Sequence, residues 1–316
     1  MQNTIYDIII VGGGPAGITA GIYSSRRQLK TLLLAKDFVG QVGKTGEIDN
    51  WPGSAGVSGI ELAGTFEKHL RKFEDNKILA ISQNIVTEAP VLSEDGAIFC
   101  VSTESGEEFR GKALIIATGR KPKLLGVKGE KEFNGKGVSY CSICDAPFFK
   151  DKTVVVVGGG NAGFETALDL AKYAQKVILF EHSDNVVADE ALQTMVSKQE
   201  KINIQVSSAT EQIKGDKLVE SVVYKNLVSD KIEEIPADGV FVAIGSVPVS
   251  SFLKEVVKLN DRGEIVVDPM TMATSVNGIF AAGDVTNMPY KQIVTSAGRG
   301  CQAALSVYDY LRKTTS

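Results

Sequence analysis

The sequence predicts an α/β fold with two parallel-sheet domains, the second inserted into the first, and three observations carry that expectation. A glycine-rich loop occurs twice, as Gly12-Gly13-Gly14-Pro15-Ala16-Gly17 and as Gly158-Gly159-Gly160-Asn161-Ala162-Gly163. Each copy follows a β-branched run, Ile8-Ile9-Ile10-Val11 or Val154-Val155-Val156-Val157, the composition of strands buried on both faces of a parallel sheet. Each copy also opens a helical stretch that leads to another apolar strand, Thr31 to Leu34 or Val177 to Phe180. Two βαβ units are therefore expected.

Later in each half the pattern recurs in miniature. Leu114-Ile115-Ile116-Ala117-Thr118-Gly119 and Val240-Phe241-Val242-Ala243-Ile244-Gly245 read as strands ending at glycine, with Pro122 or Pro248 following, turns that suit a crossing between domains. One more strand, Gly278 to Val285, ends in Gly283-Asp284, and a helical stretch rich in small residues between Ser296 and Ala304 closes the sequence. The expected first domain is discontinuous, residues 1–117 and 247–316, with residues 118–246 inserted as the second. Between Gly53 and Asn76 a helix is expected, with Ser58 able to cap it and Leu62, Phe66, Leu70 and Phe73 on one face.

Composition bounds the function. The 316 residues carry a net charge of −4, so no chain-wide basic field exists to hold a nucleic acid or an anionic membrane. No apolar run approaches the roughly 20 residues of a spanning helix. The run before the first loop lacks the cationic flank of a signal peptide, and a cytoplasmic protein is expected. The chain has four cysteines and two histidines, too few ligands in the wrong places for a structural zinc site, and no metal is expected. Cys100 and Cys301 read as small buried hydrophobes.

Chemistry enters through the loops and one further motif. Glycines at these spacings let the backbone turn tightly and approach a pyrophosphate, whose charge meets the amides and dipole of the next helix. A loop of this kind is a weak signal alone, but its strand-loop-helix context and its duplication raise it, making both domains Rossmann-like nucleotide binders. Between the two loops lies Cys141-Ser142-Ile143-Cys144-Asp145, a Cys pair spaced to close a small reversible disulfide. Two dinucleotides and a dithiol together read as an electron relay from one nucleotide, through a second, to a disulfide. Asp145 supplies a neighbouring carboxyl group.

The first loop, Asp49-Asn50-Trp51-Pro52-Gly53, Ala117-Thr118-Gly119, Cys141 to Asp145, and Ala281-Ala282-Gly283-Asp284-Val285 followed by Gln292 carry a resemblance over essentially the whole chain. In these motifs the sequence resembles the low-molecular-weight thioredoxin reductases. It is also similar to the reductase portion of the alkyl hydroperoxide reductase flavoprotein, especially at Cys144-Asp145-Ala146-Pro147-Phe148-Phe149 and Pro289-Tyr290-Lys291-Gln292-Ile293. The resemblance implies FAD bound through Gly12, Gly14, Pro15, Ala16 and Gly17, with Thr118, Gly119, Gly283 and Asp284 also in its site. Gln41 and Asn50 would lie near the isoalloxazine, and Gln292 and Ile293 along the flavin ring. It further implies Cys144 facing the flavin, Asp145 as proton donor and acceptor, a homodimer, and rotation of one domain against the other during turnover. One departure stands before Gln41, where Val39-Gly40 replaces the family's common pair of glycines.

The second loop, with Gly158, Gly160, Asn161 and Gly163, is expected to hold the nicotinamide cofactor. Relatives that use NADPH present a His-Arg-Arg cluster at the end of the next strand. This chain reads Glu181-His182-Ser183-Asp184-Asn185, with no Lys or Arg between Lys176 and Lys198. A carboxylate about 20 residues beyond the loop accepts the ribose 2′-hydroxyl of NAD and repels a 2′-phosphate. Unit charges about 4 Å apart interact by roughly 4 kcal/mol at an effective dielectric near 20, and half of that disfavours NADPH by roughly 30-fold. NADH is the expected donor. Ferredoxin is the alternative, since some relatives lack the basic cluster because they take electrons elsewhere, though their glycine loops are often degraded. A flavin-containing redox sensor is the non-enzymatic alternative, against which the intact second loop argues. No thioredoxin-like segment precedes the first strand, so the expected output is a separate protein, thioredoxin or a glutaredoxin-like protein.

Overall fold

The computed structural model describes residues 4–44, 47–74, 78–93, 96 and 98–314, with the side chains of Lys44, Glu47, Ile143 and Cys144 outside that description. Six α-helices occur among the described residues: α1 (Pro15–Arg26), α2 (Gly59–Arg71), α3 (Ser142–Asp145), α4 (Asn161–Ala171), α5 (Glu190–Ser197) and α6 (Ile293–Thr314). The chain divides into two compact units, Met1–Lys121 with Val247–Ser316, and Pro122–Ser246.

In the first unit the parallel strands run in the order Leu79–Ser82, Thr31–Leu34, Ile5–Val11, Glu108–Ile116, with Ile279–Ala281 also parallel to Glu108–Ile116. Two antiparallel strands, Phe99–Ser102 and Val91–Leu92, extend the same sheet. The burial of Glu108–Ile116 records this double duty. It alternates where the antiparallel partner lies and becomes continuous from Ala113 on, where Ile5–Val11 and Ile279–Ala281 flank it. Ile8, Ile9, Ile10, Leu114 and Ile115 are all fully buried, each such side chain contributing about 1.5–3 kcal/mol.

The second unit repeats the plan. Its five parallel strands run Val138–Ser139, Gly239–Val242, Thr153–Val157, Lys176–Phe180, Ile202–Gln205, and a separate antiparallel sheet joins Ser208–Gly215, Val219–Asn226 and Lys231–Pro236. The valine run explains itself here. Val154 and Val156 enter the cluster that contains Phe164, Ala167 and Leu170 of α4, whereas Val155 and Val157 enter the one that contains Ile213, Val222 and Tyr224. Successive strand residues point to opposite faces, so a strand covered on both must be apolar throughout.

Two elements differ from the sequence expectation. The helix expected over Gly53 to Asn76 begins at Gly59, because Gly53 and Gly56 have φ of +93° and +69° and Asp49 Oδ1 accepts the Gly56 amide at 2.9 Å, which makes a turn. Ser58 caps it as expected, its Oγ accepting the Glu61 amide at 3.3 Å, and Asn76 lies outside the described residues. The strand expected from Gly278 to Val285 covers only Ile279–Ala281, and Gly283–Val285 forms a single 3₁₀ turn. The closing helix is α6 as expected, and its small residues between Ser296 and Ala304 mark where it meets α1. There a β-carbon on Gly300 would lie 2.1 Å from the Ala16 carbonyl oxygen. Gly300→Ala is therefore expected to destabilise the first unit by about 1–3 kcal/mol, measured by urea unfolding, because backbone rather than a movable side chain stands in the way.

Candidate redox and nucleotide sites

The two glycine loops share one geometry. Gly12 has φ +122° and Gly158 φ +126°, and each amide donates at 2.8 Å to the end of the neighbouring strand, at Leu34 and Phe180 respectively. A β-carbon on Gly12 would lie 2.2 Å from the Ala117 carbonyl oxygen, and one on Gly158 2.5 Å from that of Ala243. On Gly17 and Gly163 it would lie 1.9 Å and 1.8 Å from the carbonyl oxygens of Gly12 and Gly158. Those four glycines are required by the protein's own backbone. Gly14 is different: a β-carbon there would meet nothing within 4 Å, and on Gly160 only a Val187 methyl at 3.9 Å, so both face open space at a helix start.

Neither α1 nor α4 has a side-chain cap or an acidic residue in its first turn. Their leading amides are donors left for an anion, the arrangement that suits a pyrophosphate. Pro15 occupies the first turn of α1, where its missing N–H costs nothing. The residues of both loops thus fit a dinucleotide.

Around the first loop the structure gathers most of the other expected residues. Gly283, at φ +79°, packs so closely that a β-carbon on it would lie 2.9 Å from that of Ala16, which seats the following Asp284 beside the start of α1. Asp284 Oδ1 accepts from Ser296 Oγ at 2.8 Å. Asn50 Nδ2 donates to Gln292 Oε1 at 3.1 Å, next to Ile293 at the head of α6. Gln41 Nε2 donates to the Arg120 carbonyl at 2.8 Å, and Thr118 Oγ1 to the Val249 carbonyl at 2.6 Å, with Gly119 between them at φ +66°. The departure at Val39-Gly40 is accommodated by Asp37, whose Oδ1 accepts both amides at 3.1 and 2.9 Å, with Gly40 left-handed at φ +49°.

One cluster beside these has no signature in the sequence. Glu264, only 7% exposed, pairs with Arg120 at 3.0 Å and Lys291 at 3.2 Å, and accepts from Asn260 Nδ2 at 2.9 Å. Burial pushes its carboxyl up, but the Asn260 and Lys291 hydrogen bonds and the two cations win, holding it below the usual range. Lys291 precedes Gln292, so the cluster anchors that segment to the strand end after Gly119. Arg299 adds a further cation, its Nη2 donating to the Pro289 carbonyl at 2.6 Å while Nη1 is buried without a partner.

In the second unit Glu181 lies directly on the glycine loop. Its Oε2 accepts the Gly159 amide at 2.6 Å and its Oε1 the Ser183 amide at 2.7 Å. Burial opposes the charge, yet the hydrogen bonds from Ser183 and Gly159 outweigh it and the carboxyl is held below its ordinary range. Asn161 locks the opposite side of the loop, its Nδ2 donating to Asp189 Oδ2 at 2.7 Å and its Oδ1 accepting the Asp189 amide at 2.8 Å.

Cys141 is disulfide-bonded, while Cys100 and Cys301 carry no disulfide and are half-buried rather than buried as the sequence suggested. The side chain of Cys144 lies outside the described residues; its backbone is in α3. Asp145, at the end of α3, accepts from Ser139 Oγ at 2.6 Å. The residue before Cys141 is fixed as well: Tyr140 Oη donates at 2.8 Å to the buried Glu130, which also accepts the Leu125 and Gly126 amides. Burial and the Glu130 carboxylate push the Tyr140 phenol up, so it stays protonated. Among the described residues no cluster of metal-ligating side chains occurs.

Residues 6–301 match the family model described as pyridine nucleotide-disulphide oxidoreductase. The chain is 41% identical over 313 residues to an alkyl hydroperoxide reductase protein of Pseudomonas aeruginosa, a match covering 98% of this chain and 59% of that protein. It is 38% identical over 311 residues to a protein named NADH dehydrogenase from Ferdinandcohnia aciditolerans, covering 98% of this chain and 58% of that one. The chain thus spans less than two thirds of these relatives. The crystal structure of Lactococcus lactis thioredoxin reductase superposes with a TM-score of 0.87 at 37% identity, covering 98% of this chain and 99% of that one. With that match over nearly the full length of both chains, the protein belongs to the pyridine nucleotide-disulphide oxidoreductases, in the group of the thioredoxin reductases.

Proposed function

We propose that the chain is a flavin-dependent protein-disulfide reductase with thioredoxin reductase activity, moving two electrons from NADH through FAD to a Cys141–Cys144 disulfide and on to a partner disulfide. The observation that carries this reading is a disulfide-bonded Cys141 in a chain with two glycine cradles at uncapped helix starts. The net reaction is balanced: NADH, a proton and a protein disulfide give NAD⁺ and a dithiol. The partner is a thioredoxin or a glutaredoxin-like protein, and the working form is a cytoplasmic homodimer.

The first loop, Asp284, Thr118 and Gly119 would hold FAD, with Gln41, Asn50, Gln292 and Ile293 toward its ring. When bound, FAD supplies the junction between hydride transfer and thiol chemistry. Gly158, Gly160, Asn161 and Gly163 would hold the nicotinamide dinucleotide. Once the chain's disulfide is reduced, one thiolate attacks the partner's disulfide, a mixed disulfide forms, and the second thiolate displaces the reduced partner. Asp145 carries the proton that the departing sulfur needs. Cys141→Ser is expected to abolish reduction of a protein disulfide while leaving flavin bleaching by the donor near the wild-type rate. Retained disulfide reductase activity in that variant would overturn the proposal.

Two features refine the reading. Glu181 is an anion held on the loop by Gly159 and Ser183, which supports NADH as donor; the name of one relative agrees. NADH is expected to reduce the flavin with higher kcat/KM than NADPH. Replacing Glu181-His182-Ser183 by His-Arg-Arg, with a further Arg nearby, is expected to reverse that order. Stopped-flow bleaching checks both, and bleaching by reduced ferredoxin alone would point to the other donor class.

Phe148 is 73% exposed in the turn after Asp145, whereas Phe149 beside it is buried against Phe241. An exposed ring this close to the dithiol suits partner docking. Phe148→Ala is expected to raise KM for thioredoxin about tenfold. Reduction of a small aromatic disulfide, which needs no docking surface, should be unchanged.

A further inference from the structure

Resting on the reading of Asp145 as the acid-base group, we propose that Ser139 is a positioning residue whose hydroxyl changes acceptor as Asp145 gains or loses its proton. Ser139 ends the Val138–Ser139 strand and is 5% exposed, so its hydroxyl depends on protein partners. Its Oγ has three within reach: Asp145 Oδ2 at 2.6 Å, the Cys141 amide at 3.0 Å and the Cys141 carbonyl oxygen at 3.2 Å. A hydroxyl has one proton and two lone pairs, so it serves one of the two oxygens at a time.

Each protonation state then has its own complete arrangement. With Asp145 ionised, the hydroxyl donates to the carboxylate in a charge-assisted bond and accepts the Cys141 amide. With Asp145 protonated, the carboxyl O–H donates to Oγ, the hydroxyl proton turns to the Cys141 carbonyl, and the Cys141 amide keeps its acceptor. No group is orphaned in either state, so Asp145 gives up its proton without the cost of an unpaired buried polar atom. When a thiolate leaves, the carboxyl proton passes to sulfur, giving a thiol and a carboxylate, and the Ser139 hydroxyl turns back to Asp145. No electrons move in that step. The same Oγ binds the backbone of Cys141, so the rotor couples the acid to one member of the dithiol.

The test uses the FAD-loaded protein in stopped flow, with Ser139→Ala, Ser139→Thr, Asp145→Asn and the double variant Ser139→Ala/Asp145→Asn. Two half-reactions are followed, flavin bleaching by NADH and reoxidation of the reduced enzyme by oxidised thioredoxin. Ser139→Ala should slow reoxidation about tenfold, below the roughly 100-fold or more attributed to a general acid itself. Its bleaching rate should stay at the wild-type value, which also reports folding and flavin loading. Ser139→Thr, which keeps the hydroxyl, should restore most of the rate. On Asp145→Asn, Ser139→Ala should add less than about twofold, because the acid it serves is gone. The inference is overturned if Ser139→Ala reoxidises at the wild-type rate, if threonine fails to rescue, or if the two slowdowns multiply. Asp145→Asn at the wild-type rate would instead overturn the acid-base reading of Asp145.

Discussion

Where the strand before each glycine loop turns into its helix, the backbone passes so close to the end of the neighbouring strand that no side chain fits. A β-carbon on Gly12 or Gly158 would sit 2.2 or 2.5 Å from a carbonyl oxygen of the strand alongside. The left-handed φ at both positions removes the option of adapting with another residue. From that close approach follow the tight turn, the docking of Gly17 and Gly163 onto the loop, and helix starts with no side-chain cap. Everything else in the two sites is arranged around those helix starts.

One plan serves both units, and what surrounds the loop gives each unit its part. In the first, α6 crosses α1 at Gly300 and Ala16, and the same contact region brings Gly283 and Asp284 to the start of α1. The buried Glu264, held by two cations and Asn260, fixes Lys291 and so the segment that carries Gln292. In the second, no equivalent of α6 reaches the loop among the described residues. Glu181 lies beside that loop on one side, in the position Ala35 holds in the first unit, and the Asn161–Asp189 pair lies on the other. The Cys141 motif follows the short edge strand of the same sheet, its backbone held by Ser139 and, one residue earlier, by Tyr140 and Glu130. Each proposed role therefore rests on a difference between two copies of one scaffold.

The sequence was legible where a single physical demand acts on neighbouring residues. A backbone that tolerates only glycine leaves glycine at fixed spacing, and a strand covered on both faces leaves a β-branched run, so both loops and their strands could be read directly. Glu181 was legible because its distance from the loop is set by one βαβ unit. The helix start was misread between Gly53 and Ser58, ahead of the apolar face that begins at Leu62, because Asp49 folds those residues into a turn. The Arg120–Glu264 pair joins positions 144 apart and no local pattern announces it. Ser139 is a different case: it lies six residues from Asp145, yet a serine before a Cys pair has no signature until the strand end and α3 bring the two side chains together.

The central claim is a relay in which the flavin and the chain's own disulfide both store electrons. It is tested most directly by anaerobic titration of the FAD-loaded protein with NADH, with flavin absorbance and free thiols followed together. The account predicts about two equivalents of NADH per chain, one opening the Cys141 disulfide into two new thiols and one bleaching the flavin. Complete bleaching after about one equivalent, with no new thiols, would contradict it.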